Sequence, residues 1–153
     1  MSAPLAALAD GPLLPAVHAA ATLLLTGLIW TVQLVHYPLF AQVAPEQWCR
    51  YHRSHSTRIG WLVLPLMAIE AVTAALLLAR AWRSGAAATL ETLGVALVVV
   101  HVASTAFLQV PLHARLARGF DRAAIDRLVA TNWVRTIAWS ARAWIALELL
   151  RGA

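Results

Sequence analysis

Six histidines are the residues of this sequence best suited to chemistry, because neutral imidazole binds zinc, copper and iron and exchanges protons near neutral pH. Two of them, His52 and His55, are spaced so that one helical turn presents both rings on the same side. Two more, His36 and His113, close apolar segments. The sequence therefore predicts a metal site built from His36, His52, His55 and His113. The alternative roles for these rings are packing, hydrogen bonding to a substrate, and contact with lipid headgroups.

Three further ionisable residues, Glu70, His101 and Arg142, interrupt strongly apolar segments. Counted along each helix, they fall at a common depth of roughly 15 to 18 Å from one membrane boundary. An ionisable group at that depth costs at least about 2.5 to 3.5 kcal/mol, so we expect all three to face inward and to pair. Glu70 is predicted to pair with Arg142, with His101 as the third member of a catalytic network. His101 is also the candidate axial ligand if haem is bound. The alternative is a structural ion pair beside a neutral histidine.

A third group of polar residues is predicted to bind substrate. Arg58 and Arg135 can hold an anionic group such as a carboxylate, phenolate or lipid phosphate through their forked donors. Gln109 and Asn132 fall at the same end of the predicted bundle. Asn132, Arg135, Trp139 and Arg142 recur at helical spacing, which places them on one face. The alternative for the arginines is that they extend to lipid headgroups.

The composition indicates which elements position these groups. Of 153 residues, 61% are hydrophobic and only 12% are charged, and the mean hydropathy is +0.70. So little polar surface cannot cover a water-facing globule, which excludes a disordered chain, a nucleic-acid reader and most soluble enzymes. The net charge of +5 comes from 12 arginines against 7 acids, with no lysine. The sequence therefore predicts an integral membrane protein.

Charge-poor runs predict four membrane-spanning helices at about residues 14–37, 59–79, 92–110 and 132–150. Pro38 and Pro111 are expected to end the first and third helices. Pro45 and Asp121 are expected to begin short amphipathic helices in the interface. The predicted fold class is all-α, a four-transmembrane-helix bundle with short amphipathic interfacial helices, in a single domain over residues 1–153.

Arginine counts predict the orientation. The connections over residues 38–58 and 111–131 carry seven arginines, whereas the opposite side carries three. The positive-inside rule then places the two connections in the cytoplasm and both termini outside, in a multi-pass protein of the cell membrane. The two halves also resemble each other weakly, since Gln33 precedes Pro38-Leu39 and Gln109 precedes Pro111-Leu112.

Two short motifs resemble those of a known family. His36-Tyr37-Pro38 closes the first span and Asn132-Trp133-Val134-Arg135 opens the fourth. In this respect the chain resembles the small membrane proteins related to anthrone oxygenases. The resemblance implies an oxygenase acting on a flat aromatic substrate, with His36, Asn132 and Arg135 as the matching positions.

These observations favour a membrane oxidoreductase, either an oxygenase or a metal- or haem-dependent redox protein, that takes a lipophilic substrate from the cytoplasmic leaflet. The candidate cofactors are haem, copper, iron and zinc. The expected partners are the lipid bilayer, a lipophilic small molecule and a second copy of the chain, but no nucleic acid. The alternative function is that of a small transporter, or of an accessory subunit with a structural Glu/His/Arg network.

Overall fold

The computed structural model describes residues 11–153, so the first ten residues of the predicted domain lie outside the described part. The described chain is helical, and four long helices make up the architecture. Helix α1 spans Leu13–Phe40, α2 spans Pro45–Ser84, α3 spans Thr89–Leu116 and α4 spans Arg122–Arg151. The connections between them are short, so consecutive helices run antiparallel.

Helices α1 and α3 each contain a π-helical turn near the C-terminal end, at Val32–His36 and Thr105–Gln109. In each case a proline follows within two residues, and the helix continues past it, to Phe40 in α1 and Leu116 in α3. The prediction that Pro38 and Pro111 end their helices is therefore wrong. The widened turn relieves the usual clash between a proline ring and the preceding turn.

Helices α2 and α4 begin earlier than predicted. Pro45 does start a helix, and Asp121 does cap one, because its carboxylate accepts a hydrogen bond from the Ala124 N–H at 3.0 Å. Each of these starts continues without a break into the apolar segment. The separate interfacial helices of the sequence prediction are thus the first turns of the long helices. Helix α2 ends at Ser84, and the next residue, Gly85, caps it with a φ of 69°, which suits a residue without a Cβ.

The four helices pack around a common centre. α1 packs against α2 and α4, and α3 packs against the same two helices. This order places α1 diagonally across from α3, and α2 across from α4. The C-terminal ends of α1 and α3 consequently meet the N-terminal ends of α2 and α4, so residues from four separate segments meet at one end of the bundle.

The outer surface of the bundle is apolar. Trp61 on α2 and Phe107 on α3 are 80% and 77% exposed, and many other large apolar side chains accompany them. Within residues 11–153, α1, α2 and α3 are long and apolar enough to cross a membrane. Helix α4 does not meet the same composition limit, because Arg127, Arg135 and Arg142 interrupt it. These features indicate a membrane protein with three candidate spans.

Candidate functional site

A cavity of about 250 Å³ lies at the centre of the bundle, and all four helices contribute to its lining. Most of its walls are aliphatic or aromatic. Its volume is just under the ~300–1,000 Å³ that is usual for ligand pockets, which suits a small molecule. The residues that line its apolar part are Leu25, Leu28, Ile29, Val32, Ile59, Val63, Leu64, Met67, Val110 and Trp139.

One end of this cavity is polar. Tyr37 comes from the C-terminal end of α1, His55 from the first third of α2, and Arg135 from the first half of α4. Gln109 and His113 join them from the C-terminal end of α3. Because these helix ends meet at one side of the bundle, the polar groups gather there and the aliphatic side chains fill the deeper part. The cavity is therefore amphipathic along its length.

Three buried polar atoms at this end have no hydrogen-bond partner among residues 11–153. They are Nε of Arg135, Nε2 of His55 and Oε1 of Gln109. A buried polar group without a partner costs about 1 to 3 kcal/mol, so three such atoms around one cavity indicate a place for a polar ligand group. The guanidinium of Arg135 also lies 5.2 Å from the centre of the Trp139 ring, which holds the cation against the cavity wall.

Four histidines form a cluster at the same end of the bundle. Nε2 of His36 lies 2.8 Å from Nδ1 of His55, and Nε2 of His52 lies 3.1 Å from Nδ1 of His113. The other ring nitrogen of His113 lies 3.1 Å from the Tyr37 hydroxyl. The sequence-based prediction that these four histidines meet is confirmed.

The cluster does not have the geometry of the predicted metal site. Its nitrogens face each other in pairs, whereas a zinc site directs three or four protein donors at one point. Over residues 11–153, no group of three or more His, Cys, Asp or Glu side chains is arranged to hold a metal ion. The side chains of His36, His52, His55 and His113 thus fit hydrogen bonding with one another better than common ligation.

A second polar cluster lies deeper in the bundle. Glu70 on α2 accepts a hydrogen bond from Nε of Arg142 at 2.8 Å, and Nε2 of His101 lies 3.2 Å from its other carboxylate oxygen. The indole of Trp139 donates to that same oxygen at 3.0 Å. Arg142 further donates to the Gly94 carbonyl. The predicted pairing of Glu70 with Arg142, and the position of His101 beside them, are confirmed.

This inner cluster is separate from the cavity. Glu70, His101 and Arg142 are not among the lining residues, because Trp139 stands between them and the cavity. The ring of His101 stacks on that indole at a centroid distance of 4.4 Å. An axial haem ligand needs open space in front of a ring nitrogen, but Nε2 of His101 faces the Glu70 carboxylate and Nδ1 is buried away from the cavity, so His101 does not fit haem ligation. Glu70, His101 and Arg142 contact one another and not the cavity, so their arrangement fits a structural network better than the predicted catalytic one.

The predicted substrate-binding residues divide into two sets. Gln109 and Arg135 line the cavity. Asn132 does not, because its amide donates to Gln33 at 2.8 Å and holds α4 against α1. Arg58 is exposed and lines a separate pocket at the surface.

Two aromatic residues of the site escaped sequence-based reasoning. Tyr37 lines the cavity and lies 3.1 Å from Nε2 of His113, and its signal in the sequence is its place in the His36-Tyr37-Pro38 motif. Trp48 follows the first predicted span closely in sequence, and a tryptophan in such a position is typical of the membrane interface. It is instead fully buried, stacks on His52 at 5.4 Å and donates to the Leu116 carbonyl at 2.7 Å.

The fold and the site define a helical membrane-type bundle with a central amphipathic cavity. No protein-family model matches the chain, and neither the curated proteins nor the solved structures include a match.

Proposed function

We propose that this protein is an integral membrane oxidoreductase that binds a flat, lipophilic substrate with an ionisable oxygen in the central cavity. The observation that carries the proposal is the amphipathic lining of the cavity. Its deep part accepts an apolar ring system, and its polar end offers Arg135 to an oxyanion and His55 to a proton.

The proposed arrangement in the membrane has four crossings. Helix α4 is the least apolar, but its arginines Arg135 and Arg142 are 93% and 99% buried in the bundle, so the other helices shield them from lipid. The arginine-rich connections then lie in the cytoplasm and both termini outside. In this orientation the polar end of the cavity faces the cytoplasmic side, where a substrate from the inner leaflet can enter.

The proposed chemistry begins with removal of a proton. His55 accepts it from the substrate, and the resulting oxyanion is stabilised by the Arg135 guanidinium in a water-poor cavity. Dioxygen is the oxidant, as the resemblance to anthrone oxygenase relatives implies. Overall, a ring CH₂ group and O₂ give a ring C=O group and one molecule of water, so atoms and electrons balance.

The test uses 1,8-dihydroxyanthrone with the protein in lipid nanodiscs. We expect binding to quench tryptophan fluorescence, because Trp139 lines the cavity, and we expect oxygen consumption in proportion to quinone formed. Arg135→Gln should weaken binding about tenfold or more, since a hydrogen bond to a charged group contributes about 1.5–3 kcal/mol. Arg58→Gln is the matched control outside the cavity. The proposal is refuted if the protein shows no binding and no turnover beyond that of empty nanodiscs.

A second candidate function is proton-coupled transport. The buried Glu70–Arg142 pair with His101 beside it is the observation that favours it, because ionisable groups at membrane depth often form proton relays. Proteoliposomes loaded with a pH-sensitive dye separate the two functions. Proton uptake by the wild-type protein that a Glu70→Gln variant loses while its circular dichroism shows it still folded supports transport. The absence of uptake together with quinone formation supports the oxidoreductase.

A further inference from the structure

His55 lies between two hollows of different character. It lines the central apolar cavity, and it also lines a pocket at the surface together with His36, Ser54 and Arg58. Ser54 and Arg58 are exposed and precede the predicted second span, so in the proposed orientation the surface pocket opens to water beside the arginine-rich connection. The buried His55 ring is therefore part of the wall that separates the ligand space from the solvent.

The two nitrogens of His55 have different surroundings. Nδ1 of His55 lies 2.8 Å from Nε2 of His36, in hydrogen-bond contact. Nε2 of His55 is buried and has no partner within the described part of the chain. In the tautomer that carries the proton on Nδ1, His55 donates to His36 and keeps a free lone pair on Nε2. That lone pair can accept a proton from a ligand in the cavity.

A positive charge on His55 would be poorly tolerated. Its surroundings include His36 and Tyr37 from α1, His52 and Arg58 on its own helix, and two groups from the other helices, His113 and Arg135. The guanidinium groups of Arg58 and Arg135 are permanent cations, and the neighbouring imidazoles offer no negative charge. A proton taken up on Nε2 must therefore be matched by one leaving through Nδ1.

We propose that His36 and His55 form a two-imidazole proton path that connects the central cavity with the surface pocket. The ligand gives a proton to Nε2 of His55, and Nδ1–H of His55 passes its proton to Nε2 of His36. His36 then loses the proton on its other nitrogen to water, so the net result is one proton moved from ligand to solvent. The proposal deepens the proposed function and rests on it. His36 acts through His55 and is a positioning residue.

A second chain of hydrogen bonds, from Tyr37 through His113 to His52, does not connect the cavity with the surface pocket. His52 bonds His113, which bonds Tyr37 at the cavity wall, but His52 is 98% buried and stacked under Trp48. This second chain reaches the cavity but ends at a buried ring without reaching the surface pocket. His52 is accordingly a matched control, since it belongs to the same cluster and carries the same side chain.

The experiment follows the ionisation of a bound probe after a rapid pH change. The probe is a hydroxynaphthoquinone, whose neutral and anionic forms differ in colour, and the full chain is studied in lipid nanodiscs by stopped-flow absorption. His36→Gln keeps a hydrogen-bonding side chain but cannot relay a proton. We expect its proton exchange to be about 100-fold slower or more, with affinity changed by less than about twofold. Imidazole added to His36→Ala should restore the fast phase.

The outcomes separate the proton path from the function of the cavity. If the wild-type protein binds the probe and His36→Gln exchanges protons at the wild-type rate, the path is refuted and the cavity is not. Equal slowing by His52→Gln also refutes it, because the effect then follows from the integrity of the cluster. If the wild-type protein does not bind the probe, the proposed function fails, and the path fails with it.

Discussion

The indole N–H of Trp139 donates a hydrogen bond to the Glu70 carboxylate at 3.0 Å. The same ring also contacts both sites, because His101 of the inner cluster stacks on it and the guanidinium of the cavity residue Arg135 lies over it. One side chain thus joins the cavity wall to the buried ion pair. The position of Arg135 in the cavity consequently depends on a hydrogen bond made deeper in the bundle.

Replacing Trp139 by Phe tests this connection. The aromatic ring is retained but the donor is lost, and one buried oxygen of Glu70 loses the hydrogen bond from the indole while His101 stays beside it. We expect the variant to be destabilised by about 1–3 kcal/mol, measured as unfolding followed by circular dichroism. Trp144→Phe is the control, because Trp144 is exposed on the same helix. Equal stability of the two variants would show that the indole bond contributes little.

Replacing Glu70 by Gln tests the buried ion pair. The variant leaves the Arg142 cation without its carboxylate in a site that is 99% buried, and breaking such a pair costs about 3–5 kcal/mol. The control is Glu148→Gln, which breaks the partly exposed pair with Arg151 and should cost less than about 1 kcal/mol. The measurement is unfolding in detergent under identical conditions. A cost for Glu70→Gln no larger than the control's would mean that Arg142 is solvated.

Depth counting along the helices was sufficient to predict the inner cluster. Glu70, His101 and Arg142 lie on three different helices, yet the cost of an ionisable group in lipid permits few positions other than the bundle interior. The same constraint explains why helical spacing correctly placed Asn132, Arg135, Trp139 and Arg142 on one buried face. In a membrane-type bundle, the polar residues are the informative part of the sequence.

The cavity and the proton path could not be predicted in this way. Whether two histidines share a metal ion or a hydrogen bond depends on ring orientation, which spacing along one helix does not determine. The π-helical turns at Val32–His36 and Thr105–Gln109 also rotate the residues that follow them, so Tyr37 points into the cavity. Pro38 and Pro111 predicted helix ends, because proline usually ends a helix, and nothing else in the sequence indicated the π-helical turns before them.

Enlarging Gly60 tests how a ligand reaches the cavity from lipid. Gly60 lines the cavity on α2, and a Cβ added there meets nothing within 4 Å. Leu64 and Val110, which also line it, are 67% and 56% exposed, so the cavity opens to the lipid side between α2 and α3. We expect Gly60→Leu to narrow the opening and slow the association of a lipophilic probe about tenfold, measured by stopped-flow fluorescence.

The control for the opening is Gly27→Leu. Gly27 also has free space around it, but it lines a different outer groove, between α1 and α2, and does not border the cavity. Its association rate should match the wild type. Equal slowing in the two variants would show that the probe enters by another route or that bulk on either helix disturbs the bundle.

Asp121 offers a pH-dependent test of the cap that starts α4. The hydrogen bond from the Ala124 N–H and the nearby Arg115 hold the pKa of this carboxyl below its usual 3.8, because both favour the ionised form. A group whose pKa is lowered on folding contributes stability above its unfolded pKa and loses it as the pH falls.

We therefore expect Asp121→Ala to unfold at a lower temperature than the wild type at pH 7, with the difference shrinking as the pH drops below 3.8. Asp121→Asn keeps a capping side chain without a titrating group, so its difference from Asp121→Ala should persist at low pH. A gap between the wild type and Asp121→Ala that stayed constant down to pH 3 would show that the cap acts through its shape and hydrogen bond alone.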